Sequence, residues 1–260
     1  MFLKSNVLRS PHAFATRVGG VSTLEHTKSL NLAFGRGDDS ETVLENLKIF
    51  ADEVGFEPEN VVSRPQIHSD RVYWVGKLNC GEGYFKTENI PEGDGYITDE
   101  RGVVLGIKTA DCVPILFEAE KDGEVVAVGA VHAGWRGTVA QIAPKCAFFL
   151  SEMYDVKPEN IRAAIGPCIH KCCYEVGEDF LSAVSDALGC EVAEKFVIRD
   201  GGRLVCDLVA LNCFLLIHYG VLPENIDVID ECTCCNPEKY FSHRYSKGLR
   251  GTMLNVIYMS

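Results

Sequence analysis

Three short segments place a metal-ligating or nucleophilic side chain where an apolar run ends or a turn begins. They are Gln66-Ile-His68-Ser-Asp70, Thr109-Ala-Asp111-Cys112-Val-Pro114 and Val131-His132-Ala-Gly-Trp-Arg136-Gly137. Functional side chains collect in such loops because a rigid scaffold positions them at the surface. Cys112 lies between two apolar runs and His132 closes another. We therefore expect these two side chains to face each other across neighbouring strand ends.

A thiolate with two imidazoles, from Cys112, His68 and His132, is a donor set that suits zinc. Three protein ligands leave a fourth position for water or substrate, which is typical of a catalytic site. Such an ion lowers the pKa of its bound water or polarises a substrate oxygen. Copper is the rival metal, since blue copper sites use two His, one Cys and a weak axial Met. None of the four methionines adjoins the three segments in sequence.

The same residues also permit a reaction without metal. Cys112 would then be the nucleophile and His132 its base, with a carboxylate such as Asp111 or Asp70 orienting the imidazole. A thiolate held by a metal is deprotonated but is not free to attack, so metal content distinguishes the two hypotheses.

Arginines near Gly-containing turns are candidate anion ligands. The turn Gly134-Trp-Arg136-Gly137 leads towards a helix predicted to begin near Thr138, and the free N–H groups of a helix start attract anions. Arg136 could clamp such an anion with two hydrogen bonds. Arg244 and Arg250, in a basic loop near the end of the sequence, are further candidates.

Strands and helices alternate along the whole sequence. Apolar runs rich in β-branched residues predict strands over 103–107, 113–117, 125–131, 161–165, 226–229 and 254–258. Helical periodicity predicts helices over 40–54, 138–153, 177–188 and 207–219, with Asp39 and Asp207 as N-caps and Gly55 and Gly220 as C-terminal stops. Without a long Pro-, Ser- or Gly-rich linker, these elements predict one mixed α/β domain over residues 1–260.

Composition limits the partners and the compartment. The formal net charge is −12, which repels polyanions, so we expect no nucleic-acid partner. No apolar stretch reaches the roughly 20 residues that a membrane helix needs, so we expect no membrane partner. Met1 is not followed by an export signal, which predicts a cytoplasmic location.

The chain has 12 cysteines, and their uneven spacing is unlike a secreted disulfide framework. We interpret most of them as reduced, buried and small apolar side chains. One group could instead make a thiol-rich metal buffer or redox sensor without turnover, and its members are Cys172, Cys173, Cys232, Cys234 and Cys235.

Further motifs, taken with these segments, resemble the laccase-domain, polyphenol-oxidase-like proteins, a family now viewed as purine nucleoside phosphorylases with adenosine deaminase activity. The additional matching segments, in family order, are Gly93-Asp-Gly95-Tyr-Ile-Thr98, Ala164-Ile-Gly-Pro-Cys-Ile169, Cys173-Tyr-Glu-Val176, Cys232-Thr233 and Phe241-Ser-His-Arg244. The resemblance implies a single α/β domain similar to the cysteine-hydrolase-like fold of cytotoxic necrotising factor toxins. It also implies one zinc ion per chain, held by His68, Cys112 and His132.

The resemblance further implies phosphorolysis of adenosine, inosine, guanosine and methylthioadenosine, together with adenosine deamination. Purine nucleosides and phosphate would be the small-molecule partners. Asp111 would transfer a proton or support the metal ligands, and Gln66 would bind substrate. Relatives often carry Arg where this chain has Leu47, so phosphate would be bound by Arg36, Arg136 or Arg244 instead.

The same residues bear on two other activities. A Cys112-dependent amide or peptide hydrolase, acting in cell-wall precursor editing, is the enzymatic alternative. Copper-dependent phenol oxidation is disfavoured, because a trinuclear copper cluster needs many imidazoles in His-x-His pairs. This chain has 7 histidines, and the two closest in sequence, His12 and His26, lie far apart.

Overall fold

The computed structural model describes all residues 1–260 and shows a mixed α/β fold built on three sheets. The strands are β1 (Phe2–Leu3), β2 (His12–Ala15), β3 (Val61–Val62), β4 (Val72–Trp74), β5 (Gly95–Thr98), β6 (Val104–Thr109), β7 (Val113–Lys121), β8 (Glu124–Ala133), β9 (Ile161–Ile165), β10 (Glu175–Val176), β11 (Val197–Asp200), β12 (Arg203–Cys206), β13 (Ile226–Val228) and β14 (Met253–Tyr258). The helices are α1 (Ser40–Val54), α2 (Trp135–Val139), α3 (Ile142–Tyr154), α4 (Glu178–Leu188), α5 (Cys190–Phe196) and α6 (Leu208–Tyr219). No helix in the chain is long and apolar enough to cross a membrane.

Two larger sheets pack face to face. The six-stranded sheet has the order β13-β9-β7-β8-β5-β4, and the five-stranded sheet has the order β1-β2-β14-β6-β3. Side chains alternate between faces along a strand, and on β7 this sends Ile115 and Phe117 towards the helices and Leu116 towards the other sheet. Leu105 and Ile107 meet Leu116 in the buried layer between the sheets.

Helices cover the two outer faces, which gives four layers. The outer face of the five-stranded sheet packs against α1 through Val43, Leu47 and Phe50. The outer face of the six-stranded sheet packs against the other helices, with Ala147 and Leu150 of α3 in that core. The three-stranded sheet, β10-β12-β11, lies beside this second group. The predicted mixed α/β architecture is confirmed.

Most predicted elements are present. The helix predicted over 40–54 forms with Asp39 as its N-cap, accepting a hydrogen bond from the Thr42 N–H, and with Gly55 in the left-handed conformation at its end. All six predicted strands exist, with bounds that differ by a few residues at most. The short strands β1 to β5 and β10 to β12 were not predicted, because most of them have too few residues to show a period.

The helix predicted over 138–153 is wrong as a single element. It is divided into α2 and α3, and Gln141 between them has a φ of 60°. Pro144 lies in the first turn of α3, where its ring would clash with the carbonyl four residues earlier if the helix continued backwards. The first helix also begins earlier than predicted, at Trp135, so Arg136 lies in a helix and not in a turn.

Candidate metal centre and substrate cavity

His68, Cys112 and His132 converge at one end of the six-stranded sheet. Cys112 directly precedes β7 and His132 is the penultimate residue of β8, and these strands pair with Val113 opposite Ala133. The expectation that the two side chains face each other is therefore confirmed. His68, in the loop before β4, has its Nε2 atom 3.8 Å from the Cys112 Sγ. The three ligand atoms all lie within 4.8 Å of one another.

Asp94 orients both histidines of this group. Its Oδ1 accepts hydrogen bonds from the His132 Nδ1 at 2.8 Å and from the His68 backbone N–H at 3.0 Å. Its Oδ2 accepts from the backbone N–H and the hydroxyl of Ser69, both at 2.7 Å. A carboxylate can only accept hydrogen bonds, so the His132 Nδ1 carries the proton in this contact. The Nε2 atom is then the one that can coordinate a metal.

These contacts hold His68 in an unusual backbone conformation. His68 has a φ of 61°, in the left-handed region that side chains other than Gly seldom adopt. The N–H groups of Ile67, His68 and Ser69 all point at the Asp94 carboxylate. The Asp94 carboxylate therefore stabilises the turn that brings the His68 imidazole to Cys112.

Charge is stabilised throughout the group. Burial opposes ionisation of Asp94, but hydrogen bonds from His132 and Ser69 outweigh it and lower the pKa of Asp94 to about 2. Burial likewise opposes charge on Cys112 and His132. The attraction between the thiolate and the imidazoles is larger, so the pKa of Cys112 is lowered and the pKa of His132 is raised.

Gly134 lies against the three candidate ligands. A Cβ atom at this position would lie 2.7 Å from Cδ2 of His68 and 3.2 Å from the Sγ of Cys112. The φ of Gly134 is −64°, which any residue can adopt, so the requirement for Gly is the space and not the backbone. Only a residue without a side chain leaves the imidazole and the thiolate in place.

A cavity of about 390 Å³ opens beside this group and has a cationic wall, and its volume is in the usual range for ligand sites, roughly 300–1,000 Å³. His68, Cys112 and His132 line it together with Arg36, Arg64, Lys108 and Arg250. Arg64 is paired with Glu82 at 2.6 Å. No carboxylate forms an ion pair with Arg36, Lys108 or Arg250.

The three unpaired cations affect one another. Burial and the nearby Arg36 lower the pKa of Lys108 to about 8. The same two causes lower the pKa of Arg250 to about 10. Two buried polar atoms of residues in this wall, the Nε of Arg250 and the Oγ of Ser63, have no hydrogen-bond partner. An anion in the cavity would reduce the repulsion among the three cations and accept hydrogen bonds from the two unpaired donors.

A smaller cavity of about 100 Å³ also adjoins the candidate ligands, and Asp111 is part of its wall. His68 and Cys112 line both cavities. The remaining wall is largely apolar and aromatic and includes Trp135, Tyr174 and Leu208.

The predicted substrate residues are divided between several places. Arg36 and Gln66 line the larger cavity. Both ends of the Gln66 amide bond the Lys108 backbone at 2.8 Å, so Gln66 positions Lys108. Arg136 lines the smaller cavity, with its guanidinium 4.3 Å from the centre of the Trp135 ring. Leu47, on the inner face of α1, is fully buried in the core and lines neither cavity.

Arg244 lies in neither cavity wall. Its guanidinium donates hydrogen bonds to the carbonyls of Cys173 and Glu175, both at 2.9 Å. It therefore anchors the loop before β10.

The carboxylate that orients His132 was wrongly predicted. Asp70 instead pairs with Lys145 at 2.7 Å. The two oxygens of Asp111 accept from the Thr233 hydroxyl at 2.6 Å and the Arg244 backbone N–H at 2.7 Å. The segment containing Asp94 was noted as a matching motif, but nothing in the sequence connected that aspartate to His132. Lys108 was missed as well, although it is a charged residue in an otherwise apolar strand.

Comparison with known proteins shows the family of this chain. The family model described as multi-copper polyphenol oxidoreductase laccase matches residues 11–260. The chain belongs to this family. Within the laccase family, it is 35% identical over 252 residues to the purine nucleoside phosphorylase YlmD of Geobacillus stearothermophilus, covering 94% of this chain and 90% of the relative. It is 33% identical over 235 residues to the adenosine deaminase RL5 of an unknown prokaryote, covering 89% and 87%.

A solved structure supports the same family assignment. The crystal structure of YlmD from Geobacillus stearothermophilus superposes on this chain with a TM-score of 0.87 and 34% identity, covering 96% of this chain and 92% of that one. The two family members therefore share their fold over nearly the whole length.

Proposed function

We propose that this chain is a zinc-dependent enzyme that cleaves purine nucleosides with phosphate and also deaminates adenosine. The observation that carries the proposal is the wall of Arg36, Lys108 and Arg250, which shares one cavity with His68, Cys112 and His132. Relatives named as a purine nucleoside phosphorylase and an adenosine deaminase support it. The proposed substrates are adenosine, inosine, guanosine and methylthioadenosine.

The three candidate ligands fit a zinc ion by their chemistry. Two imidazoles and a thiolate with a lowered pKa are donors that zinc accepts, and Asp94 fixes the tautomer of His132 in the way that supporting carboxylates do. When bound, zinc would supply a Lewis acid and stabilise a thiolate at neutral pH. The absence of a methionine from the walls of both cavities makes the blue copper alternative a weaker match.

Phosphorolysis would use the cationic wall. Phosphate would be held by Arg36, Lys108 and Arg250, which orient one of its oxygens towards the sugar carbon that carries the base. The bond from that carbon to the base nitrogen breaks as the bond to phosphate forms. The base nitrogen keeps the electron pair and takes up the proton that hydrogen phosphate loses, which gives free base and sugar 1-phosphate. The three cations stabilise the phosphate charge through this exchange.

Deamination would use the same centre without the cationic wall. Water would replace the amino group of adenosine and release ammonia. Asp111 is proposed to contribute by position, since its two oxygens hold Thr233 and Arg244 next to Cys112. A cytoplasmic location stays a prediction, and a reducing compartment would keep Cys112 out of a disulfide.

A cysteine hydrolase is the second candidate, and one observation favours it. Cys112 contacts His132, and His132 contacts Asp94, which is the spatial arrangement of a nucleophile, a base and an orienting carboxylate. An amide or peptide substrate, such as a cell-wall precursor, would then be cleaved through Cys112. The proposed likeness to the cysteine-hydrolase-like fold of cytotoxic necrotising factor toxins would be consistent with this function.

Product analysis with controlled metal content distinguishes these functions. Purified protein is given adenosine with and without phosphate, and nucleosides and bases are separated by chromatography. The proposal predicts adenine only with phosphate and inosine without it, both abolished by His132→Ala and by removal of about one zinc ion per chain. If metal-free protein cleaves amides and loses that activity on alkylation of Cys112, the hydrolase is correct.

A further inference from the structure

A second group of metal-ligating side chains lies outside the candidate active site. The Sγ atoms of Cys172, Cys173, Cys232 and Cys235 all lie within 4.8 Å of one another. The Sγ of Cys235 is 3.5 Å from that of Cys172 and 3.4 Å from that of Cys173. We propose that these four thiolates bind one zinc ion in a closed, structural site.

The parallel pairing of two strands brings the two cysteine pairs together. Cys172 and Cys173 follow β9, and Cys232 and Cys235 follow β13, which pairs with β9 in parallel. The pairing continues beyond the strands. Cys168 and Cys232 form an isolated parallel β-bridge, and the Thr233 N–H donates a hydrogen bond to the Cys168 carbonyl at 2.9 Å. Two loops that leave neighbouring parallel strands side by side thus each supply two sulfurs.

The distances suit one tetrahedral ion. With zinc–sulfur bonds of about 2.3 Å, the sulfurs of a regular tetrahedron are about 3.8 Å apart. The observed separations of 3.4 and 3.5 Å are close to this value and far above the roughly 2.05 Å of a disulfide. An iron–sulfur cluster, in which the thiolates bind different iron atoms, would spread the sulfurs further apart.

The surroundings do not suit an apolar role for these side chains. Cys172 and Cys235 are exposed, Cys173 is half-buried, and only Cys232 is buried. Burial of an apolar surface therefore does not explain why the other three thiols gather around Cys232. The backbone N–H of His170 donates to the Cys232 Sγ at 3.4 Å, as peptide N–H groups do around metal-bound thiolates.

The proposed site would hold the loops behind the candidate active centre. Thr233, between the two later cysteines, donates its hydroxyl to Asp111, which precedes Cys112. Arg244 bonds Asp111 through its backbone and the Cys173 carbonyl through its guanidinium. Asp111 thus connects both cysteine loops with Cys112, which follows it directly in the chain.

Zinc content of matched variants tests the proposal. The double variant Cys172→Ser/Cys235→Ser is compared with Cys190→Ser, which removes an exposed cysteine outside the group. The double substitution prevents Cys234 from replacing one lost ligand. We expect the double variant to contain about one zinc ion per chain fewer than the Cys190→Ser control. Equal zinc content in the two proteins overturns the proposal.

The variant His132→Ala separates this inference from the proposed function. If the active-site proposal fails, His132→Ala loses no zinc, whereas the double cysteine variant still loses one ion per chain. If the double variant does not fold, zinc X-ray absorption of folded His132→Ala protein decides the question. Coordination by four sulfurs and no nitrogen supports the proposal. A spectrum with nitrogen ligands, iron in place of zinc, or a disulfide between Cys172 or Cys173 and Cys235 contradicts it.

Discussion

Asp94 and His132 are joined twice, once through the side chains and once through the backbone. The Asp94 carboxylate accepts from the His132 Nδ1 at 2.8 Å, and the Asp94 carbonyl accepts from the His132 N–H at 2.7 Å. Both residues are buried, with side-chain exposures of 0% and 4%. The imidazole therefore has one position and one tautomer, and its Nε2 is available to a metal.

Substitution of Asp94 by Asn removes the carboxylate that fixes the position and the tautomer of the His132 imidazole. An amide places an N–H₂ group against one of the donors that now face the carboxylate, so an unpaired buried donor results. We expect a 10- to 100-fold loss of zinc affinity and about 3 kcal/mol less stability to urea. Asp70→Asn is the control, because its half-exposed pair with Lys145 contributes about 1 kcal/mol or less. Wild-type zinc affinity in Asp94→Asn would show that this carboxylate does not orient a ligand.

Gly134→Ala tests the close approach of the backbone to the candidate ligands. The new methyl group would lie 2.7 Å from the His68 ring, so the imidazole must move away from Cys112. We expect loss of zinc and of both activities, with a melting temperature close to that of metal-free wild type, because the φ of −64° at this position suits Ala and only the contribution of the bound ion is lost. Full activity with normal zinc content would mean that His68 is not fixed where the structure has it.

Arg36→Ala separates the two proposed reactions. Losing one charge-assisted contact of about 1.5–3 kcal/mol raises the KM for phosphate roughly 10- to 150-fold. Deamination uses no phosphate, so its rate should be unchanged. Arg199→Ala, which removes an exposed arginine paired with Glu178, should alter neither reaction. Equal losses of both reactions in Arg36→Ala would contradict a dedicated phosphate wall.

Lys108 makes phosphate binding depend on pH. Its pKa is lowered to about 8 by burial and by Arg36, and phosphate binds the protonated form. Affinity should therefore decrease as the pH rises through about 8 and the ammonium loses its proton. Lys108→Arg should remove this decrease, since an arginine stays charged in that range. An identical pH profile of phosphate KM in the two proteins would exclude Lys108 as a ligand.

The sequence predicted the candidate ligands because a strand end is a local feature. Cys112 and His132 stand directly beside long apolar runs, so their neighbourhood followed from the pairing of two strands. Asp94 could not be predicted in this way. Its role depends on β5 pairing with β8, which places Asp94 beside His132 across 38 residues of sequence.

Arg36 and Arg250 were predicted from the sequence as candidate anion ligands, but Lys108 was missed and the three could not be placed in one wall. Arg36, Lys108 and Arg250 come from three distant parts of the chain and share a cavity only in the folded protein. Arg244 resembled them in sequence, but its guanidinium is occupied by two backbone carbonyls. Charge alone did not distinguish them, because only the folded chain places Arg250 in the cavity wall and Arg244 outside it.

Phosphorus NMR of the reaction mixture tests the central claim most directly. Zinc-loaded wild-type protein and His132→Ala protein, purified in the same way, are incubated with adenosine and phosphate. We expect a sugar 1-phosphate signal that grows in step with free adenine in the wild type and is absent in His132→Ala. No sugar phosphate from zinc-loaded wild type, or equal signals from both proteins, would contradict phosphorolysis at the His68, Cys112 and His132 centre.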